Sequence, residues 1–114
     1  MDEEIVRASM EIILNAGDAR VENLEVLRSI STGDFEGARQ HLTKAEETIT
    51  VAHRAQTDKI QAETSGEPSV YSLLFAHAQD TLMTINSEIT LTKGLVEVFE
   101  SYEQRIAALE AKTE

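Results

Sequence analysis

Residues that break helices are scarce in this chain, and they cluster at two places. The 114 residues include one proline and five glycines. The first break is Ser31-Thr32-Gly33-Asp34, and the second is the stretch 64–69, which holds Gly66 and Pro68. Turn-rich β folds need glycine and proline throughout, so the chain is predicted to be all-α. Three long helices in a single domain, residues 1–114, are expected.

Apolar residues recur at helical spacing in all three segments. The first helix is predicted from about Asp2 to Ser31, the second from Phe35 to about Glu63, and the third from Val70 almost to the C-terminus. The core-facing row of the first helix is predicted to be Val6, Met10, Ile13, Gly17, Val21, Leu24 and Leu27. The row of the second is Phe35, Ala38, Leu42, Ala45, Ile49, Ala52 and Ile60. The row of the third is Phe75, Ala78, Leu82, Ile85, Ile89, Val96 and Phe99.

Both connections are short, which predicts an antiparallel, up-down-up three-helix bundle. Gly33 suits the left-handed position after a helix, and Asp34 suits the N-cap of the next. Ser69 and Ser72 offer capping groups for the third helix. Gly17 lies inside the first helix, where glycine is costly, so it is expected to permit a kink or a close helix contact.

The third helix carries more apolar surface than a monomeric bundle needs. Beyond its core row, a second row is Leu74, His77, Thr81, Leu91, Leu95 and Tyr102, and a mixed row is Leu73, Ala76, Asp80, Met83, Ser87 and Gly94. A helix shared around a symmetry axis would use this extra surface, so self-association is expected.

Charge and composition exclude several classes of function. The net charge is −11, with 21 acidic against 10 basic side chains, which argues against nucleic acid and anionic membranes as partners. The absence of cysteine excludes disulfides and thiolate chemistry. The acidic start, Met-Asp-Glu-Glu, is unlike a signal peptide, and no apolar run is long enough for membrane insertion. A cytoplasmic location is consistent with these features.

The strongest candidate for chemistry is His77, which lies one helical turn before Asp80. A histidine in this setting could simply be packed or solvent-facing. Alternatively, a neutral imidazole with one free nitrogen is a nucleophile that can form a covalent intermediate. Folding the hairpin about Glu67 places His77 level with Gln56 and Thr57.

His53 lies one turn further along, and Gln79 is close in sequence, so a polar cluster around the imidazole is predicted. His41 is predicted to lie on the surface without a partner.

Asp80 has two interpretations. It is either an exposed acid, or a residue that faces a three-fold axis on the mixed row of the third helix. In the second case three carboxylates converge and need a proton or a cation to offset their repulsion. A hard divalent ion such as Mg²⁺ accepts oxygen ligands of this kind.

Several strings in the chain resemble the lactose/cellobiose/chitobiose family of enzyme IIA proteins of the sugar phosphotransferase system (PTS). They are Asn15-Ala16-Gly17-Asp18-Ala19-Arg20, Gly33-Asp34-Phe35, Ala52-His53 with Gln56-Thr57, and His77-Ala78-Gln79-Asp80 with Leu82-Met83. Their order and spacing along nearly the whole chain match as well.

The resemblance implies that His77 is phosphorylated by the histidine carrier HPr and passes the phosphoryl group to a cysteine of enzyme IIB. It also implies a homotrimer in which Asp80 binds a metal ion on the axis. Thr81 stands where the family usually has a second histidine, and it is expected to belong to the polar shell that supports His77, as a hydrogen-bond donor that cannot carry charge. This departure leaves open an alternative, a helical oligomerisation module of the same fold with lost or altered phosphotransfer.

Overall fold

The computed structural model describes residues 2–68 and 70–113, and these form three α-helices. Helix α1 spans Glu3–Ser31, α2 spans Phe35–Thr64 and α3 spans Leu73–Thr113. The helices run up, down and up in a bundle whose extents are 70 × 20 × 18 Å. The predicted all-α, three-helix protomer is therefore confirmed. Within the described ranges, no helix combines the length and apolar character that crossing a bilayer requires.

The helix ends follow the capping chemistry of the sequence. Asp34 accepts a hydrogen bond from the Gly37 backbone N–H at 2.9 Å, so it is the N-cap of α2 as predicted. Gly33 has a φ of +76°, the left-handed conformation expected there. Helix α3 begins three residues later than predicted, because Ser72 accepts a hydrogen bond from the Phe75 N–H and caps it. The other predicted cap, Ser69, lies outside the described residues.

The bundle core is aliphatic and rich in alanine. The predicted rows of α2 and α3 are buried in their central parts, as Ala38, Leu42, Ala45, Ile49, Ala52, Ala78, Leu82, Ile85, Ile89 and Val96. The outer members, Ile60 and Phe99, are exposed. The small alanine side chains let the helices approach closely. The narrow space between them then has room for few large side chains.

The predicted core row of α1 was wrong by about one residue. The buried row is Ile5, Ser9, Ile12, Ala16, Ala19, Asn23 and Val26. Val21 and Leu24, which were predicted to face the core, are 59% and 53% exposed. Helix α1 has two apolar rows, and the one containing Ala16 and Ala19 packs inward because small residues allow close contact. The other row, from Met10 to Leu24, is left on the surface.

Gly17 does not make the close helix contact predicted for it. Helix α1 continues through this position, and a Cβ added there would have no neighbour within 4 Å. Because glycine costs up to about 1 kcal/mol relative to alanine inside a helix, Gly17→Ala should raise the free energy of unfolding by about that amount. Urea unfolding at one fixed protein concentration measures the change.

The matched control is Gly33→Ala, where the positive φ penalises a side chain and stability should fall. A destabilised Gly17→Ala protein would mean that the open space beside this glycine is occupied in solution.

Candidate functional site

His77 is the fifth residue of α3, and its side chain is exposed. The helix around it is continuous, so the backbone fixes the direction in which the side chain leaves the helix. Asp80, one turn later, is also exposed. Thr81 is half-buried, and its hydroxyl donates a 2.8 Å hydrogen bond to the His77 carbonyl oxygen. Among the described residues, no side chain is hydrogen-bonded to the His77 ring. The ring is therefore open to an incoming protein.

Ion pairs between helices show which side of α3 carries His77. Arg20 of α1 forms two hydrogen bonds to the Glu88 carboxylate, at 2.9 and 3.0 Å. These bonds raise the pKa of the Arg20 guanidinium above its ordinary value. Glu88 follows His77 by eleven residues, or about three turns, so both lie on nearly the same face. His77 therefore lies on the side of α3 that faces α1.

The side of α3 that faces α2 is the opposite one. Lys93 lies 3.6 Å from Glu46, and Glu100 lies 2.6 Å from Arg39. Lys93 follows His77 by sixteen residues, about four and a half turns, which places it across the helix. The same pairs also give the alignment of α3 with α2. Because these two helices are antiparallel, sixteen residues back from Lys93 to His77 correspond to sixteen residues forward from Glu46 to Ala62. His77 is therefore level with Ala62 of α2.

This register corrects the predicted polar cluster around the imidazole. The loop-based prediction aligned His77 with Gln56 and Thr57, about five residues from the position that the ion pairs give. The connection between α2 and α3 is longer than that of a tight hairpin, since α2 ends at Thr64 and α3 starts only at Leu73. Within one protomer, Gln56 and Thr57 therefore lie at a different height from the His77 ring, and α2 lies on the other side of α3.

The predicted supporting residues of α2 are not bonded to His77 within the protomer. Thr57 is 3.4 Å from His53 Nδ1 within α2 itself. Gln56 follows the core row by one turn after Ala52, and its Oε1 is buried without a hydrogen-bond partner. A role for any of them beside His77 stays a prediction that requires α2 of another protomer.

Gln79 also points away from His77, since residues two apart do not share a helix face. It lines a cavity of about 150 Å³ where all three helices meet, together with Ile5 of α1 and Ile60 of α2. The predicted support of the imidazole by Gln79 is therefore not formed within the protomer.

The sequence interpretation missed the contribution of α1 to the surroundings of His77. Because α1 and α3 are parallel, the Arg20–Glu88 pair places His77 level with Ser9 of α1. Half-buried Val6 and Ile13 lie near this level, on the same face of α1 as Arg20. A signal for this was present, since α1 and α3 are parallel in an up-down-up bundle. Aligning their predicted starts already places Arg20 near Glu88.

His41 has a partner, contrary to the prediction. Its Nδ1 lies 2.7 Å from Glu22 Oε2 of α1, and both side chains are about two-thirds covered. The sequence hides this pair because the two residues are far apart in the chain, and only the packing of α1 on α2 joins them. The His41–Glu22 pair lies at the opposite end of the bundle from His77.

Comparison with known proteins identifies the family of this chain. Residues 7–100 match the family model described as the PTS system, lactose/cellobiose-specific IIA subunit. The chain belongs to the lactose/cellobiose-specific enzyme IIA family. It is therefore an enzyme IIA component of the phosphotransferase system, a phosphoryl carrier in sugar uptake.

Individual relatives extend this result over nearly the full chain. The lichenan-specific phosphotransferase enzyme IIA component of Bacillus subtilis is 36% identical over 110 residues, which are 96% of this chain and 100% of the relative. The crystal structure of the cellobiose-specific enzyme IIA from Bacillus anthracis is similar, with a TM-score of 0.84, 33% identity, and coverage of 91% of this chain and 95% of that one.

A further similar structure shows a family member in complex with a partner. The IIA(Chitobiose) protein of Escherichia coli, solved in complex with HPr, has a TM-score of 0.74 and 28% identity to this enzyme IIA. The match covers 90% of this chain and 99% of the other. That complex is one between an enzyme IIA and HPr.

Proposed function

We propose that His77 is the residue that carries the phosphoryl group, taken from phosphorylated HPr and delivered to a cysteine of enzyme IIB. The sugar would be of the lactose, cellobiose or chitobiose type. The observation that supports this most directly is the exposure of the His77 ring on a continuous helix inside the region matched by the family. Of the three histidines, His41 is held by Glu22, and His53 is near Thr57.

The transfer needs a neutral imidazole whose free nitrogen attacks phosphorus. The N–P bond on the HPr histidine breaks as an N–P bond to His77 forms, and the donor histidine leaves as a neutral ring. In the second step a thiolate of enzyme IIB attacks the same phosphorus, an S–P bond forms, and His77 is regenerated.

A homotrimer with Asp80 at its axis is the second part of the proposal. Among the described residues, no group of three acids or histidines converges within one protomer to hold a metal. A carboxylate is a hard oxygen donor, and the Asp80 side chain is exposed and forms no ion pair in the described part of the protomer. Three copies of Asp80 around an axis would therefore fit Mg²⁺ or a similar divalent cation. Such an ion would offset the repulsion between the three carboxylates.

Incubating the enzyme IIA with phosphorylated HPr tests the first part. The whole population should gain negative charge and run faster on a native gel. The label should be lost in acid and kept in base, as expected for an N–P bond. A label that survives acid and is lost in base would place the phosphoryl group on serine or threonine. If no label forms, the chain is instead an oligomerisation module that retains only the fold.

A further inference from the structure

The cavity beside the start of α3 is bounded by all three helices and by the connection between α2 and α3. Its volume is about 150 Å³, which is small for a drug-sized ligand and suits a compound with a single ring. Ile5 and Phe75 form apolar parts of its wall, and Tyr71 of the connection lies at its rim with 81% of its surface exposed. Small-molecule sites are usually of this kind, largely apolar with a few polar groups that fix the ligand.

Lys59 is the polar group that most constrains what this cavity can hold. The residue lines the cavity and is half-buried, and it forms no ion pair within the described part of the chain. A partly buried ammonium group has lost some of its hydration, and here no opposite charge replaces it. An anionic group inside the cavity would supply that charge, and lysine binds phosphate groups as a point charge.

Glu63 lies one turn after Lys59 in α2 and also lines the cavity. The two side chains do not pair, and a lysine four residues before a glutamate is the weaker orientation for a helical ion pair. Glu63 is exposed, so water solvates its charge, whereas Lys59 is half-buried. The difference in burial decides the sign of the ligand, because a negative group at Lys59 is stabilised more than a positive group at Glu63.

Two further polar side chains of the wall suit hydroxyl groups. Gln79 is half-buried and forms no side-chain hydrogen bond to any described residue, so its amide offers two donors and an acceptor. The Ser72 hydroxyl accepts a hydrogen bond from the Phe75 N–H, and its own proton remains free for donation. With the carboxylate of Glu63, the wall therefore presents both donors and acceptors to a hydroxylated compound.

We propose that this cavity binds a sugar phosphate. The phosphate group lies against Lys59, the sugar hydroxyls bond to Gln79 and Glu63, and the apolar side of the ring faces Ile5 and Phe75. Sugar phosphates are the class of product formed when a phosphoryl group carried for sugar uptake reaches the sugar, so this meaning of the ligand rests on the proposed function. The carrier would bind the product of its own system beside the first turns of the helix that holds His77.

Titration of the full-length protein with glucose 6-phosphate tests the site, with glucose and inorganic phosphate as separate arms. The sugar phosphate should bind with a dissociation constant on the order of 1 mM, and each of the others about tenfold more weakly, since each makes only part of the contacts. Calorimetry measures the affinities. Equal affinity for glucose would mean a neutral sugar site, and equal affinity for phosphate a simple anion site. Either result, or no binding of the sugar phosphate, overturns the proposal.

Nuclear magnetic resonance locates the bound compound. The backbone amide signals of Ile5, Ile60 and Phe75 should shift when the sugar phosphate is added, while those of Glu22 and His41 at the opposite end of the bundle should stay in place. Shifts spread over the exposed lysines of the whole surface would mean that the anion binds without a site, which contradicts the proposal.

Lys59→Gln tests the role of the charge. Glutamine keeps a polar side chain but removes the opposite charge that the phosphate needs, so the affinity for the sugar phosphate should fall about tenfold. Lys112→Gln is the matched control, because it makes the same change in net charge at an exposed position near the end of α3. It should bind as the natural chain does. An unchanged affinity in Lys59→Gln, or an equal loss in both variants, would show that Lys59 does not hold the phosphate.

Labelling by phosphorylated HPr separates this proposal from the assignment of His77. Lys59→Gln should be labelled in full, because α2 lies on the other side of α3 from the His77 ring. A natural chain that binds the sugar phosphate but is not labelled would keep the cavity site and remove the role of His77. A natural chain that is labelled but binds none of the three compounds would keep His77 and overturn the cavity site.

Discussion

His77→Ala should abolish labelling by phosphorylated HPr while leaving the helical content unchanged. The side chain is exposed, so its removal should not disturb the fold, and the imidazole is the proposed site of the N–P bond. Radiolabel or native-gel shift measures transfer, and circular dichroism measures helicity. Because the acceptor atom itself is removed, the loss should be complete rather than a slower rate.

The other two histidines provide matched controls. His41→Ala removes the partner of Glu22 at the other end of the bundle, and His53→Ala removes a residue whose ring lies near Thr57. Both proteins should still be labelled in full, with at most a slower rate for His53→Ala. Full labelling of His77→Ala, or loss of label only in one of the control proteins, would move the acceptor to a different residue.

Asp80→Leu should keep the trimer and remove its dependence on a divalent cation. If three Asp80 carboxylates meet at an axis, their repulsion opposes assembly unless a cation lies between them. Leucine removes the three charges and adds apolar surface. The variant should therefore assemble more strongly than the natural chain in a chelator, and the difference should shrink when Mg²⁺ is restored. Sedimentation of both proteins, with and without chelator, measures this.

Asp58→Leu is a suitable control, because it removes an exposed carboxylate from α2 rather than from α3. It should leave both assembly and cation dependence as they are. A natural chain that stays monomeric under all conditions would show that Asp80 is an ordinary surface acid. So would an Asp80→Leu protein that dissociates. The same measurements would leave the labelling of His77 untouched.

Local chemistry in the sequence determined the elements of this fold. Two clusters of breakers separate three helices, and the caps at Asp34 and Ser72 follow from groups that satisfy free backbone N–H donors. The central core rows of α2 and α3 were predicted because each of these helices has one row that is clearly more apolar. The placement of His77 and Asp80 one helical turn apart likewise follows from the sequence.

Tertiary packing decided how each helix is rotated and aligned with its neighbours. Helical periodicity fixes the angles between residues of one helix, but it leaves the rotation of that helix about its axis open. Helix α1 has two apolar rows, and only close packing at Ala16 and Ala19 selected the buried one.

The same limit, that periodicity leaves rotation and alignment of a helix open, applies to the surroundings of His77. Loop length alone gave the wrong height for His77 against α2, and the inter-helix ion pairs of Glu88 and Lys93 reveal the side on which it lies. The sequence thus determined which residue can carry the phosphoryl group. The packing of α3 between α1 and α2 decided which neighbours that residue has, because contacts between helices depend on the fit of whole surfaces rather than on spacing within one helix.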